Sequence, residues 1–245
     1  MKEIPILFSG PMIRAIRRDV SPKTQTRRVM RPQPPSEPIA CEWFHPTIVD
    51  RHGEEQPGPR TFGAHGEEWS QRCPYGAPGD RLYVREAWRA GHHWDEREGA
   101  PPAPEPFAGR PAPNTMIHYE ADGPAPDWAG RYRHARFMPR WASRVDLSIV
   151  SIRVERVQDI SDADIAAEGV DAEAVEALWN AATRKRRREV NEAFGYGPDH
   201  AGAVVGSSTR PRDLWRIAWT LINGAKSWDE NGFVWAIQFA RVGGR

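Results

Sequence analysis

Apolar positions in this chain fall into short groups separated by polar, Pro- and Gly-rich stretches, and each group has its own period. Ile4 to Phe8 is a compact apolar run rich in strand formers. From Ser9 to Asp19 the period changes. Met12, Ile13 and Ile16 make one stripe, leaving Arg14, Arg17 and Arg18 for solvent or a ligand. Ser9 or Gly10 can cap this helix, and Pro11 suits its first turn. Pro78-Gly79-Asp80 reads as a turn, after which Leu82 and Val84 alternate with Tyr83 and Arg85 as in a half-buried strand. The second half of the stretch from Met138 to Val157 predicts a long strand, followed by a short capped helix. Helix is expected from Leu178 to about Phe194, and again from Arg212 to Asn223-Gly224. Phe233 to Val242 closes the chain as an alternating strand.

Two Pro-rich insertions separate these groups, at roughly residues 31–77 and 90–135, and both predict irregular structure. Strands divided by insertions and closing on a C-terminal strand argue for an α+β fold. The expected architecture is a small mixed or barrel-like sheet with helices on its rim. The regular strand–helix alternation of a doubly wound fold is missing. A chain of 245 residues could form one large domain or two small ones. The expectation carried forward is one domain over residues 1–245.

Charge and cysteine usage narrow the function classes. The formal net charge is +1, so any binding to nucleic acid or membrane must come from a local patch. Cys41 and Cys73 show no CxxC spacing and do not suggest a disulfide framework. The N-terminal residues lack the apolar run and cleavage site of a signal peptide. No stretch approaches the ~20 apolar residues needed to span a bilayer. A cytoplasmic protein without a membrane partner is expected.

The short helix carries the first chemical clue. Ser161 is a good N-cap, Asp164 stands at N3 as a capping-box acid, Ile160 can staple to Ile165, and Gly169 supplies the left-handed terminal residue. These signals place the helix at about Asp162 to Glu168. Glu168 then sits against the negative end of the helix dipole, opposed by on the order of 0.3–1 kcal/mol. It is either a solvent-exposed glutamate or a carboxylate suited to proton transfer.

The second clue is Lys23, one of only four lysines among 34 basic residues, with Thr26 three residues on. Pro22 pushes Ser21 toward extended backbone, and a turn beginning here would put Lys23 and Thr26 on one face. An extended strand would point them apart. A lysine amine can activate a neighbouring hydroxyl or stabilise an oxyanion; the other reading is a basic loop after an amphipathic helix.

Other motifs are weaker. Arg140, Trp141 and Arg144 put an aromatic between cations, which suits base stacking with phosphate contacts, or else a core tryptophan flanked by surface arginines. The basic run Arg184 to Arg188 is a solvated face or a phosphate-contacting patch. His65-x-Glu67 with Cys73-Pro74 faintly matches a zinc deaminase, but the downstream PCxxC pair is missing. No other metal-ligand spacing, Walker loop, GxSxG or GxGxxG occurs, so neither metal nor cofactor is expected.

The stretch SPKTQTRR resembles the signature of ASCH domains, which belong to the PUA-like superfamily of small β-barrels that handle RNA and modified bases. The family pattern is Gly-x-Lys-x-x-Glu-x-Arg. Lys23 and Arg28 match it, Ser21 replaces the glycine and Thr26 replaces the glutamate. With a threonine there, the motif is similar to that of small bacterial ASCH proteins that act as N4-acetylcytidine amidohydrolases. Their catalytic set is a lysine and a threonine from this motif and a glutamate after the next long strand, a position that Glu168 matches. Longer blocks, among them ILFSGPMIRAI, CPYGAPGDRLYVREAW, MPRWASR and FVWAIQF, resemble phage- and prophage-encoded ASCH-like proteins over nearly the whole chain.

The resemblance implies a PUA-like mixed β-barrel of about five or six strands with peripheral helices. It also implies a metal-independent amidohydrolase acting on an acylated cytidine or related nucleoside, in a bacterial or phage-infected cell. In that scheme Lys23, Thr26 and Glu168 are catalytic, and Arg28, with Arg140, Trp141 and Arg144, contacts the substrate. Two other readings stay open: a non-catalytic reader of RNA or modified bases in RNA or DNA, and a ribonuclease.

Overall fold

The computed structural model describes residues 1–35, 41–63, 69–96, 115–197, 206 and 210–242. Their strands are β1 (Glu3–Leu7), β2 (Gln25–Val29), β3 (Glu42–Phe44), β4 (Thr47–Val49), β5 (Glu55–Pro57) and β6 (Thr61–Gly63). After these come β7 (Ser70–Gln71), β8 (Arg81–Arg85), β9 (Trp88–Ala90), β10 (Ile117–Tyr119), β11 (Asp146–Arg156) and β12 (Phe233–Val242). The helices are α1 (Gly10–Arg17), α2 (Asp162–Ala167), α3 (Ala172–Ala181), α4 (Arg184–Ala193), α5 (Pro211–Asn223) and α6 (Lys226–Asp229). The fold is α+β, with a mixed sheet of five strands in the order β1-β8-β11-β12-β2 and three smaller sheets. β1 runs parallel to β8, and the other pairings are antiparallel.

The apolar groups become these elements for the reasons their periods give. Pro11 opens α1, and Met12, Ile13, Ala15 and Ile16 are its buried face. Its arginines do not wait for a ligand: Arg17 pairs with Asp122 at 2.6 Å, Arg18 with Asp171 at 2.5 Å, and Arg14 donates to Ala121 O. Consecutive strands β1 and β2 are the two edges of the sheet, so α1 carries the chain from one edge to the other. The edges meet where the Arg28 guanidinium on β2 donates to Leu7 O on β1 at 2.5 Å.

β12 departs from the alternation expected of it. Val234, Trp235, Ala236 and Ile237 are all buried, because both faces of the strand are covered. On one face Trp235 meets Trp43 and Phe62, with ring centroids 5.8 and 6.4 Å away. On the other, Arg27 lies directly opposite Ala236 in the register and against Trp215 of α5. The predicted helix from Leu178 to Phe194 is two helices. Thr183 caps a new one by accepting from Arg186 N at 3.3 Å, which breaks the pattern at Ala182. α3 starts earlier than expected, with Asp171 accepting from Ala174 N at 2.7 Å.

The described part of 31–77 is more regular than its composition predicts. It holds the sheet β3-β6-β7 and the hairpin β4-β5, with its aromatics packed on Trp235. Around 90–135, β9 pairs with β10 beside a second small core of Trp88, Ala90, Met138 and Ala142. The proline-richest part of that insertion, 97–114, lies outside the described residues.

The short helix meets most of its predicted signals. Ser161 Oγ accepts from Asp164 N at 3.1 Å, and Ile160 and Ile165 are both buried. Helix α2 ends at Ala167, one residue before the predicted boundary, with Glu168 as its cap and Gly169 at φ +68°. A Cβ on Gly169 would lie 2.9 Å from the Cβ atoms of both Ala15 and Lys23, so this glycine sets how closely three segments approach. Gly169→Ala should therefore cost more than the roughly 1 kcal/mol of left-handed backbone alone. Gly195→Ala is the comparison, because Gly195 is also left-handed, at φ +77°, and its Cβ would meet nothing within 4 Å. Urea unfolding of the two variants should show the larger loss for Gly169→Ala; equal losses would refute the close-approach argument.

Candidate active-site cavity

After α1 the chain reverses at Ser21, whose φ of +47° is left-handed rather than the extended backbone expected before Pro22. The reversal lets Lys23 N bond Ala15 O at 3.0 Å and Thr24 N bond Ala167 O at 2.8 Å. The backbone then extends into β2, where Thr24 O accepts from Phe239 N. Lys23 is thus fixed against the C-terminus of α2. Thr26 stands on a strand and not in the expected turn.

Lys23 and Glu168 are each only 3% exposed, so neither the basic-loop nor the exposed-glutamate reading holds. Lys23 Nζ donates to Glu168 Oε2 at 2.7 Å and to Glu168 O at 2.6 Å. The dipole that opposes the Glu168 carboxylate is met by a cation at the carbonyl end of the helix, where the macrodipole favours one. Arg27 Nη1 donates to Glu168 Oε1 at 3.1 Å, so each carboxylate oxygen has its own cation. Arg27 Nη2 reaches Asp164 Oδ2 at 2.9 Å and also pairs with Glu155. Arg153 Nη2 donates to the same Asp164 oxygen at 2.9 Å. Asp164, expected as a capping-box acid, therefore spends its carboxylate on two arginines. Three cations and three carboxylates make a closed, balanced network joining β2, β11 and α2.

The face of β2 opposite Arg27 carries Thr26 and Arg28, which register with Ile237 and Trp235. Arg28 lies over the Phe8 ring at 4.9 Å, and Lys23 Nζ is 5.8 Å from the same ring. Lys23, Thr26, Arg28 and Glu168 all line one cavity of about 540 Å³, with Phe8 and Trp219 among its apolar walls. Burial pushes the Lys23 amine below the ordinary lysine range, with Glu168 opposing the shift. Burial likewise lowers Arg28, partly offset by Tyr75 and Glu168. An amine so disposed can exchange a proton with a hydroxyl or carboxylate facing the same space.

The remaining predicted contacts do not line this cavity. Arg140 pairs with Glu3 and Asp146, at 3.0 and 3.1 Å. Arg144 forks onto Glu86 at 2.8 and 2.9 Å and onto Asp122 at 2.5 Å. Trp141 packs edge-on against Trp88, with centroids 6.3 Å apart. In the basic run, Arg186 pairs with Glu189, Arg188 with Glu192, and Arg187 donates to Trp179 O and Asn180 O. His65 and Glu67 lie outside the described residues. Burial pushes the Cys73 thiol up to about 12. Among the described residues no group of three His, Cys, Asp or Glu side chains could hold a metal ion, and no helix is long and apolar enough to cross a membrane.

Sequence reasoning missed Arg27, Arg31, Tyr75 and Trp219, which also line the cavity. Strand alternation through the motif would have separated Arg27 from Arg28. Nothing local pointed to Tyr75 or Trp219. No family model matches this chain, and no curated protein or solved structure matches it significantly.

Removing one member of a buried pair strands the other charge, at a cost of about 3–5 kcal/mol. Glu168→Leu, which strands Lys23, should destabilise on that scale, and Lys23→Met by less, because Arg27 still faces Glu168. The double variant should cost far less than their sum, since neither charge is left stranded. Denaturant unfolding of the cycle checks this, and simple additivity would mean the pair is not coupled.

Proposed function

We propose that this cavity hydrolyses the N-acyl group of a modified cytidine or related nucleoside, within a PUA-like fold of the ASCH type. The observation that supports it best is the gathering of Lys23, Thr26 and Glu168 on one cavity of nucleoside size. These residues come from segments more than 140 positions apart. In this reading Lys23, its amine lowered by burial, takes the Thr26 proton as the hydroxyl oxygen attacks the acyl carbon. The C–N bond breaks, and the proton passes to the departing amino nitrogen. Water then attacks the acyl-threonine ester, with Glu168 passing its proton on. The acid leaves, and the Thr26 hydroxyl is restored.

A polymer reader would need free cations and a stacking platform on the surface. Most of the cations offered for that are engaged within the protein, namely Arg140, Arg144, Arg186, Arg187 and Arg188, and Trp141 is packed on Trp88. Arg184 and Lys185 alone of the basic run have neither an ion pair nor a side-chain hydrogen bond among the described residues. A small ligand in the cavity fits better.

Purified protein is expected to release acetate from N4-acetylcytidine. Thr26→Val, which keeps the shape of the side chain, should lower kcat/KM by about 10²–10⁴-fold, as should Glu168→Ala. If the amine works as a base, kcat/KM should rise with pH through a value below the ordinary lysine range and level above it. A wild-type protein that turns over no acylated nucleoside sinks the reading, and cleavage of labelled RNA would replace it with a ribonuclease.

A further inference from the structure

The network around Glu168 balances three cations, Lys23, Arg27 and Arg153, against three carboxylates, Glu155, Asp164 and Glu168. Arg28 and Arg31 stand outside this balance. Both line the cavity, and neither has an ion-pair partner among the described residues. Among the described residues Glu168, which already has a cation on each oxygen, is the only carboxylate lining the cavity. The cavity therefore faces its ligand with two uncompensated guanidinium charges.

Hydrogen bonding points the same way. Three buried side-chain atoms of the lining residues lack a partner: Arg27 Nε, Arg28 Nε and Trp219 Nε1. All three are donors. A buried donor without an acceptor is costly, and a ligand rich in acceptor oxygens would relieve that cost. Two guanidinium forks facing one space match the oxygens of a phosphate better than any neutral group. Arg28 is half-buried and braced by Leu7 O and the Phe8 ring, whereas Arg31 is exposed.

We propose that the ligand of this cavity carries a phosphate held by Arg28 and Arg31, so that, on the acyl-hydrolysis reading above, the substrate is a cytidine mononucleotide rather than a neutral nucleoside. The Glu168 end of the cavity takes the acyl group, and the phosphate lies toward Arg31.

Calorimetric titration of the full chain with cytidine, cytidine 5′-monophosphate, ribose 5-phosphate and a short cytidine oligoribonucleotide tests this. The monophosphate is expected to bind at least about ten-fold more tightly than cytidine. Arg31→Gln should remove most of that preference, and raising the salt should weaken it, because Arg31 is exposed. Arg28→Lys is a second variant that keeps the charge but loses the fork, and it should reduce the preference partially. Equal affinity for cytidine and its monophosphate, or a preference unchanged in both variants, overturns the proposal. So does failure of every phosphate compound to bind, or a clear preference for the oligonucleotide over the mononucleotide. Ribose 5-phosphate binding that needs Arg31, with no acyl nucleotide hydrolysed, keeps the phosphate site and rejects the hydrolase reading. Equal kcat/KM on N4-acetylcytidine and its 5′-monophosphate does the reverse.

Discussion

A carboxylate buried between two cations is the constraint on which this site rests. Glu168 caps a six-residue helix, too short to hold itself in water, and meets Lys23 and Arg27 out of solvent. Burying those charges is costly, and the cost is offset only because each oxygen has a close donor and the remaining donors find Glu155 and Asp164. The network fixes α2 against β2 and holds the Lys23 amine at the cavity wall. Structure and chemistry cannot be separated here, since the same pair closes the fold and supplies the proposed proton-transfer groups.

The two faces of β2 divide the work. Arg27 turns toward the acids of α2 and β11 and is used up in holding the fold together. Thr26 and Arg28 turn to the other face, and they line the cavity that Arg27 also borders. A motif with adjacent arginines thus contains one cation tied to three carboxylates and one with no ion-pair partner among the described residues. By the same logic Arg140 and Arg144, attractive as nucleic-acid contacts in the linear sequence, are taken by Glu3, Asp146, Glu86 and Asp122. What decides an arginine's role is whether a carboxylate lies within reach, and those carboxylates come from distant segments.

The main elements were legible because their signals are local. Pro11 at a helix start, Ser161 as an N-cap, Gly169 and Gly224 at helix ends, and the turn at Gly79 all act within a few residues. The failures were local readings overruled from a distance. β12 lost its alternation because both of its faces are covered. The insertion at 31–77 gained strands because its aromatics anchor on Trp235.

By itself the sequence determined that Lys23, Thr26 and Glu168 are unusual in place and type, through spacing, caps and the resemblance of the motif. It also determined the α+β character, since hydrophobic period depends only on neighbours in the chain. Only the tertiary structure decided that Lys23 and Glu168 are partners, that Arg27 completes them, and that Arg28 and Arg31 have no ion-pair partner among the described residues. Those outcomes depend on which charges end within about 3 Å of one another out of water, and packing of remote segments alone sets that distance.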